Sequence, residues 1–338
     1  MNETDSTSYA PGAGIAAAYL ELPARRIPVP ASVSPLAREH LARAVISPDI
    51  VYPALDDLEG WRRHVAQLDA QIMPYLQMLT PPGEARVDEQ RICGVPCFLV
   101  TPAQIEGDPR AVVFDMHGGG LILCGGALGL QMAIWTALRH RCKVLTVDFR
   151  MAPDHPYPAA LDDGLAVYRQ LLARHAPQQL VFHGASGGGN LIAALVLRGR
   201  DEGLPLPAGL ILSTPELDLT ESGDSFQTNL GLDTGLKSLM AVNRLYANGH
   251  DLAHPYLSPL FGDFRKGFPP TLLITGTRDL FLSNTVRMHH ALRAADIDAD
   301  LHVVEAGPHG NFPSGPEYEE INRQGRRFIG RVTRSASF

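Results

Sequence analysis

Long hydrophobic runs are missing from this 338-residue chain. No uncharged apolar stretch approaches the ~18–20 residues that cross a bilayer, so a membrane span is not expected. Basic runs are missing too. The formal net charge is −7, which argues against a nucleic-acid partner and against an anionic membrane surface. The polar start "MNETDSTSYAPGAG" lacks the basic head and apolar run of a signal peptide. Cysteine is scarce: Cys93, Cys97, Cys124 and Cys142 are too few and too scattered for a disulfide framework, and no second Cys/His pair sits at zinc-like spacing. Together these features predict a cytoplasmic protein with reduced thiols and no metal site. Nucleotide signatures are equally absent: there is no G-x-x-x-x-G-K-[ST], and no G-x-G-x-x-G opens the first βα turn.

What is present is an alternation. Apolar content of 45% and charged content of 19% fit a folded globular chain. Residues 1–80 read as proline-punctuated helices, with apolar residues at helical spacing in "SPLAREHLARAVI" and "LEGWRRHVAQLDAQIMPYLQML". "RICGVPCFLVTP" then reads as a hairpin turning at Gly94-Val95. Six short apolar runs follow, at 111–118, 143–150, 179–186, 208–215, 270–279 and 298–307. Helical segments are predicted at 128–140, 159–174, 189–202, 283–295 and 317–332. Strands apolar on both sides of the pleat, alternating with helices, predict a mostly parallel α/β sheet covered on both faces. The organisation expected is an N-terminal helical cap segment over 1–80, a catalytic domain over 81–216 and 269–338, and a second cap excursion over 217–268. No internal repeat or low-complexity tract interrupts it.

Three stretches carry chemistry. In "VFHGASGGGN" a strand reading runs into a helix reading through Gly184-Ala185-Ser186-Gly187-Gly188. This is G-x-S-x-G in its strand–turn–helix setting, which raises a serine as nucleophile. In "DMHGGGLIL" the glycines Gly118, Gly119 and Gly120 follow His117, and their N–H groups can converge where an oxyanion forms. A base and its orienting acid should follow in the order acid, then histidine. Asp279 ends one predicted strand, and His309 sits in a Gly/Pro loop after the next. Glu216 and Asp218 are the alternative acids.

With these stretches, and with "DFRMAPDHPYPAALDD" at 148–163, the chain resembles the hormone-sensitive-lipase-like (bacterial family IV) esterases of the α/β-hydrolase superfamily over about 85–330. The resemblance implies Ser186 as nucleophile, His309 as general base and Asp279 as its orienting acid. It implies oxyanion donors at Gly119, Gly120 and Gly187, beside Gly118 in the same loop. It implies no cofactor and no metal, and it allows for a homodimer through the last strand, 298–305. The expected substrate is a short- to medium-chain ester. Lactone hydrolysis and amide hydrolysis with the same triad are alternatives, as is a non-catalytic small-molecule receptor on the hydrolase fold. Two departures border the site. The family's G-D-S-A-G-G has Ala185 and Gly187 here, and the aromatic that usually follows HGGG is Leu121. Leu121 and Ala185 are therefore expected in the substrate pocket, and Gly187→Ala is expected to be tolerated.

Overall fold

A computed structural model describes residues 23–24, 26–46, 49–80 and 83–334. The early part of the N-terminal segment, 1–22, lies outside the described residues. Two helices come first, α1 (Pro35–Arg43) and α2 (Leu58–Leu79). Ser34 caps α1 and Asp57 caps α2, each side chain accepting a first-turn N–H that has no partner within its helix.

The strands β1 (Ala85–Ile92) and β2 (Val95–Pro102) form the expected hairpin. Its turn falls one residue earlier than expected, at Cys93-Gly94, where both residues adopt positive φ of 49° and 84°. That is the hairpin conformation whose twist matches paired strands. The remaining strands are β3 (Val112–Met116), β4 (Lys143–Val147), β5 (Leu180–Ala185), β6 (Gly209–Ser213), β7 (Thr271–Gly276) and β8 (Ala299–Val304). They build one eight-stranded sheet in the order β1-β2-β4-β3-β5-β6-β7-β8. The pairs β1–β2 and β2–β4 are antiparallel, and all pairs from β4 to β8 are parallel.

The helices α3 (Ala127–His140), α4 (Ala159–Leu172), α5 (Gly187–Asp201), α6 (Ser225–Thr228), α7 (Met240–Ala247), α8 (Leu282–Ala294) and α9 (Pro316–Arg334) follow in chain order. Helices α3 and α9 cover one face of the sheet, where Val113, Val144, Val181 and Ile211 point into one apolar cluster. Helices α4, α5 and α8 cover the other, over Phe114, Leu145, Phe182 and Leu212. This alternation explains the unbroken apolar runs: the inner strands β3 to β7 bury both of their faces. Helix α5 is buried nearly all round because it runs under the sheet and against α4.

Two segments sit above the C-terminal ends of the strands. Trp61 of α2 is fully buried against Ile122, Ala152, Val242 and Leu245, so α2 and α7 meet over the loop that follows β3. The excursion 217–268 is divided. Its later part is built into the main core through Leu257, Leu260, Phe264 and Phe268. Its earlier part carries Asp233 and Leu236–Val242 towards the sheet edge. Among the described residues, no helix is long and apolar enough to cross a membrane.

Candidate active site

Ser186 stands between β5 and α5 with φ 55° and ψ −126°. Positive φ is unfavourable for a residue with a Cβ, and glycines on either side make it possible. A Cβ on Gly184 would lie 2.3 Å from the carbonyl oxygen of Gly188, and one on Gly188 would lie 2.1 Å from that of Met116. The turn thus closes onto the neighbouring strand only because these positions are bare. The backbone of Ser186 is tied down on both sides. Its N–H donates to the Ser213 carbonyl at 3.0 Å, and its carbonyl accepts from Gly189 at 3.0 Å and Glu216 at 3.1 Å.

The loops after β7 and β8 bring Asp279 and His309 to this serine. His309 Nε2 lies 3.0 Å from Ser186 Oγ, and its Nδ1 lies 3.1 Å from Asp279 Oδ1. Asp279 is fully buried and accepts from Thr275 Oγ1 at 2.6 Å and from the Phe281 N–H at 3.0 Å. Its carboxylate is therefore fixed in orientation. With Nδ1–H donating to Asp279, Nε2 is left to accept the serine hydroxyl, and a proton can pass from Ser186 to His309. Burial alone would lower the imidazole's affinity for a proton. The hydrogen bond and charge of Asp279 outweigh it, with Asp233 adding to them, and hold the His309 pKa above the ordinary value.

Of the alternative acids, Asp218 is bound to Arg287 at 2.8 Å and to Ser222 at 2.6 Å, away from the imidazole. Glu216 is fully buried beside Asn243. Burial, and then the charge of Glu221, push its carboxyl up to about 8. It is neutral at pH 7.

Asp233 is a residue that sequence reasoning misses. Its Oδ2 accepts from the Leu280 N–H at 2.9 Å and from the His309 N–H at 3.1 Å, so one buried carboxylate joins the Asp279 loop to the His309 loop. Its Oδ1 accepts from Gly235 and Leu236. Asp233, Asp279 and His309 bring donor atoms within 4.8 Å of one another, which is metal-like spacing. Every member of the trio is already hydrogen-bonded within the protein.

The loop 117–120 lies against the serine turn. Gly119 and Gly120 have φ of 121° and 56°. His117 Nδ1 contacts the Gly118 carbonyl at 2.8 Å, and its ring stacks on Phe149 at 4.4 Å. Asp148 accepts the Gly126 N–H at 2.8 Å, while Arg150 and Asp163 form a bidentate pair. The stretch 148–163 is thus the buttress of the glycine loop. Gly187 packs so closely there that a Cβ would lie 2.8 Å from the amide nitrogen of Leu121 and 3.2 Å from that of Gly120. The expectation that alanine is tolerated at 187 is reversed by this contact, because the atoms it meets are backbone. Leu121 also departs from expectation. Its φ of 69° turns the side chain into the main core, and Ile122 and Leu123 line the cavity instead. Ala185 does line it.

That cavity has a volume of about 550 Å³ and reaches Ser186, His309 and Gly118–Gly120. Leu68, Ile72, Tyr75, Leu76 and Leu79 of α2 wall it on one side, and Leu236, Leu239 and Val242 on another. Helix α2 therefore serves as both roof and wall.

Residues 113–313 match a family model described as an alpha/beta hydrolase fold. An esterase of Acinetobacter venetianus is 35% identical over 274 residues, which span 75% of this chain and 89% of that protein. The crystal structure of an esterase, E25, superposes with a TM-score of 0.84 at 36% identity, covering 93% of this chain and 98% of that one. An esterase from the bacterial hormone-sensitive lipase family superposes with a TM-score of 0.67 at 29% identity, covering 85% and 98%.

Proposed function

The chain belongs to the α/β-hydrolase family, among the hormone-sensitive-lipase-like esterases, and is a carboxylesterase-type hydrolase; from that premise we propose that Ser186, His309 and Asp279 form its catalytic triad. The observation that carries this reading is the unbroken line Ser186–His309–Asp279, with contacts of 3.0 and 3.1 Å.

In this reading His309 Nε2 takes the hydroxyl proton of Ser186 as Oγ attacks the ester carbonyl. The N–H groups of Gly119, Gly120 and Gly187 hold the oxyanion, in a loop whose geometry is set before substrate arrives. His309 then gives its proton to the departing alcohol, leaving an acyl group on Ser186. A water molecule, deprotonated by the same imidazole, releases the acid. Asp279 keeps the imidazole in the tautomer that both steps use.

The N-terminal helices and the early part of the 217–268 excursion act as a cap, enclosing a finite apolar space. Each buried CH₂ contributes roughly 0.8 kcal/mol, so kcat/KM rises with acyl length until the space is filled. Esters of about C4–C8 are the expected optimum for a finite pocket of this kind. Rapid-quench mass spectrometry with a p-nitrophenyl ester tests the mechanism: an acyl adduct on Ser186, absent in Ser186→Ala, is expected. Full turnover by a folded Ser186→Ala protein would refute the assignment. A C2–C16 series tests the cap, and a maximum at C12 or beyond would exclude an enclosed pocket.

A further inference from the structure

The wall of the active-site cavity carries polar groups that the ester chemistry leaves unused, among them Asp115, His183, Asn311 and Arg139. Asp115 and His183 are committed to each other at 2.7 Å, and Asp115 also accepts from Thr146 at 2.9 Å. Asn311 and Arg139 differ. Asn311 is only 7% exposed, and both its amide nitrogen and its amide oxygen lack a hydrogen-bond partner. Buried polar groups are normally paired, and leaving one unpaired is costly.

Arg139, in the last turn of α3, donates through Nε to Asn322 Oδ1 at 2.7 Å. Its guanidinium carbon lies 4.3 Å from the Trp135 ring centroid and 5.4 Å from that of Tyr318. Among the described residues no carboxylate forms an ion pair with it. The same side chain borders a second, outer cavity of about 500 Å³ with Tyr318, Asn322 and Arg326. Arg139 thus stands as the partition between the two spaces. Burial weakens its hold on a proton; Tyr318 opposes this, Arg326 adds to it, and Glu319 opposes it less. An incoming anion would meet a half-buried guanidinium held over two aromatic rings and not neutralised by a carboxylate. A planar fork of this kind matches a carboxylate bidentately.

We propose that Arg139 and Asn311, both in the cavity wall, form an anion subsite, and that the preferred substrates are esters bearing a distal carboxylate, such as hemiesters of dicarboxylic acids. The scissile ester lies at Ser186, and the apolar mid-section of the substrate spans the cavity between. The subsite rests on the reading of Ser186 as nucleophile.

The test compares kcat/KM for mono-p-nitrophenyl esters of C4–C10 dicarboxylic acids with p-nitrophenyl esters of monoacids of the same length. A second series, acetyl esters of ω-hydroxy acids against those of plain alcohols, asks whether the anion enters on the alcohol side. The expected result is a ratio above one at a particular chain length in one series. A charge-assisted hydrogen bond supports roughly a ten- to hundredfold preference. Arg139→Gln should lower that ratio at least tenfold, and Arg139→Lys should retain part of it. The ratio is independent of how much of a variant folds. Equal ratios in wild type and Arg139→Gln, or ratios below one at every length in both series, would overturn the subsite. Absence of any turnover of neutral esters by the wild type would instead overturn the triad reading.

Discussion

The carboxylate of Asp69, on helix α2, accepts the backbone N–H of Cys124 at 2.9 Å. A residue of the N-terminal segment thereby holds the loop that carries Gly119 and Gly120. Cys124 itself has a φ of 73° and is buried with Leu76 and Leu128, so the bond fixes an otherwise unfavourable turn. Burial raises the Asp69 carboxyl, with the Cys124 N–H opposing the rise.

Asp69→Ala should consequently lower kcat more than it raises KM. Loss of a whole oxyanion donor costs ~10²–10³ in kcat, and loosening its support should cost about tenfold. Steady-state kinetics on a C4 ester measures this. A change confined to KM would show that Asp69 shapes only the pocket.

The pH dependence of kcat/KM should report His309. The base must be neutral, and Asp279 and Asp233 both favour the charged imidazolium. Activity should therefore rise with pH through a midpoint above the ordinary histidine value of ~6.5. Asp233→Asn should move the midpoint to lower pH, since it removes a negative charge that faces the imidazole. A drop in rate with an unmoved midpoint would mean that Asp233 acts only as a loop tie.

Gly187→Ala should cut kcat by about tenfold or more, given the magnitude of a single oxyanion contact. The new methyl would lie 2.8 Å from the Leu121 nitrogen, and the backbone that has to give way is the oxyanion loop itself. Near-wild-type kcat would show that the loop shifts at little cost.

Glu216→Gln should stabilise the protein at alkaline pH. The folded carboxyl is pushed up to about 8, and the unfolded one titrates near its ordinary value of 4.5. Between these values the folded state holds a proton that the unfolded state has lost, so wild-type stability falls as pH rises through that window. The Tm of the variant relative to wild type should grow from pH 5 to pH 8. A constant difference would mean that the carboxyl does not titrate as its burial implies.

The sheet and the residues of the proposed triad are legible in the sequence for a physical reason. Strands buried on two faces keep unbroken apolar runs, as in "VVFDM" of β3, and the positive-φ turn at Ser186 needs bare neighbours. Asp233 is illegible because its partners are backbone N–H groups 47 and 76 residues along the chain, which no local pattern records. Arg139 reads as an ordinary last-turn cation favoured by the helix dipole. Leu121 is misplaced from sequence because adjacency to HGGG says nothing about a φ of 69°, and that angle decides which way its side chain points.

The closeness of the serine turn also constrains the history open to this chain. At Gly184 and Gly188 a single methyl group would come within 2.3 and 2.1 Å of a carbonyl oxygen. No neighbouring genotype with a side chain there keeps the turn, so both positions are dead ends for drift. Variation that reaches the serine has to travel instead through positions that already bear a Cβ, Ala185 among them. That is where diverging lineages should differ first.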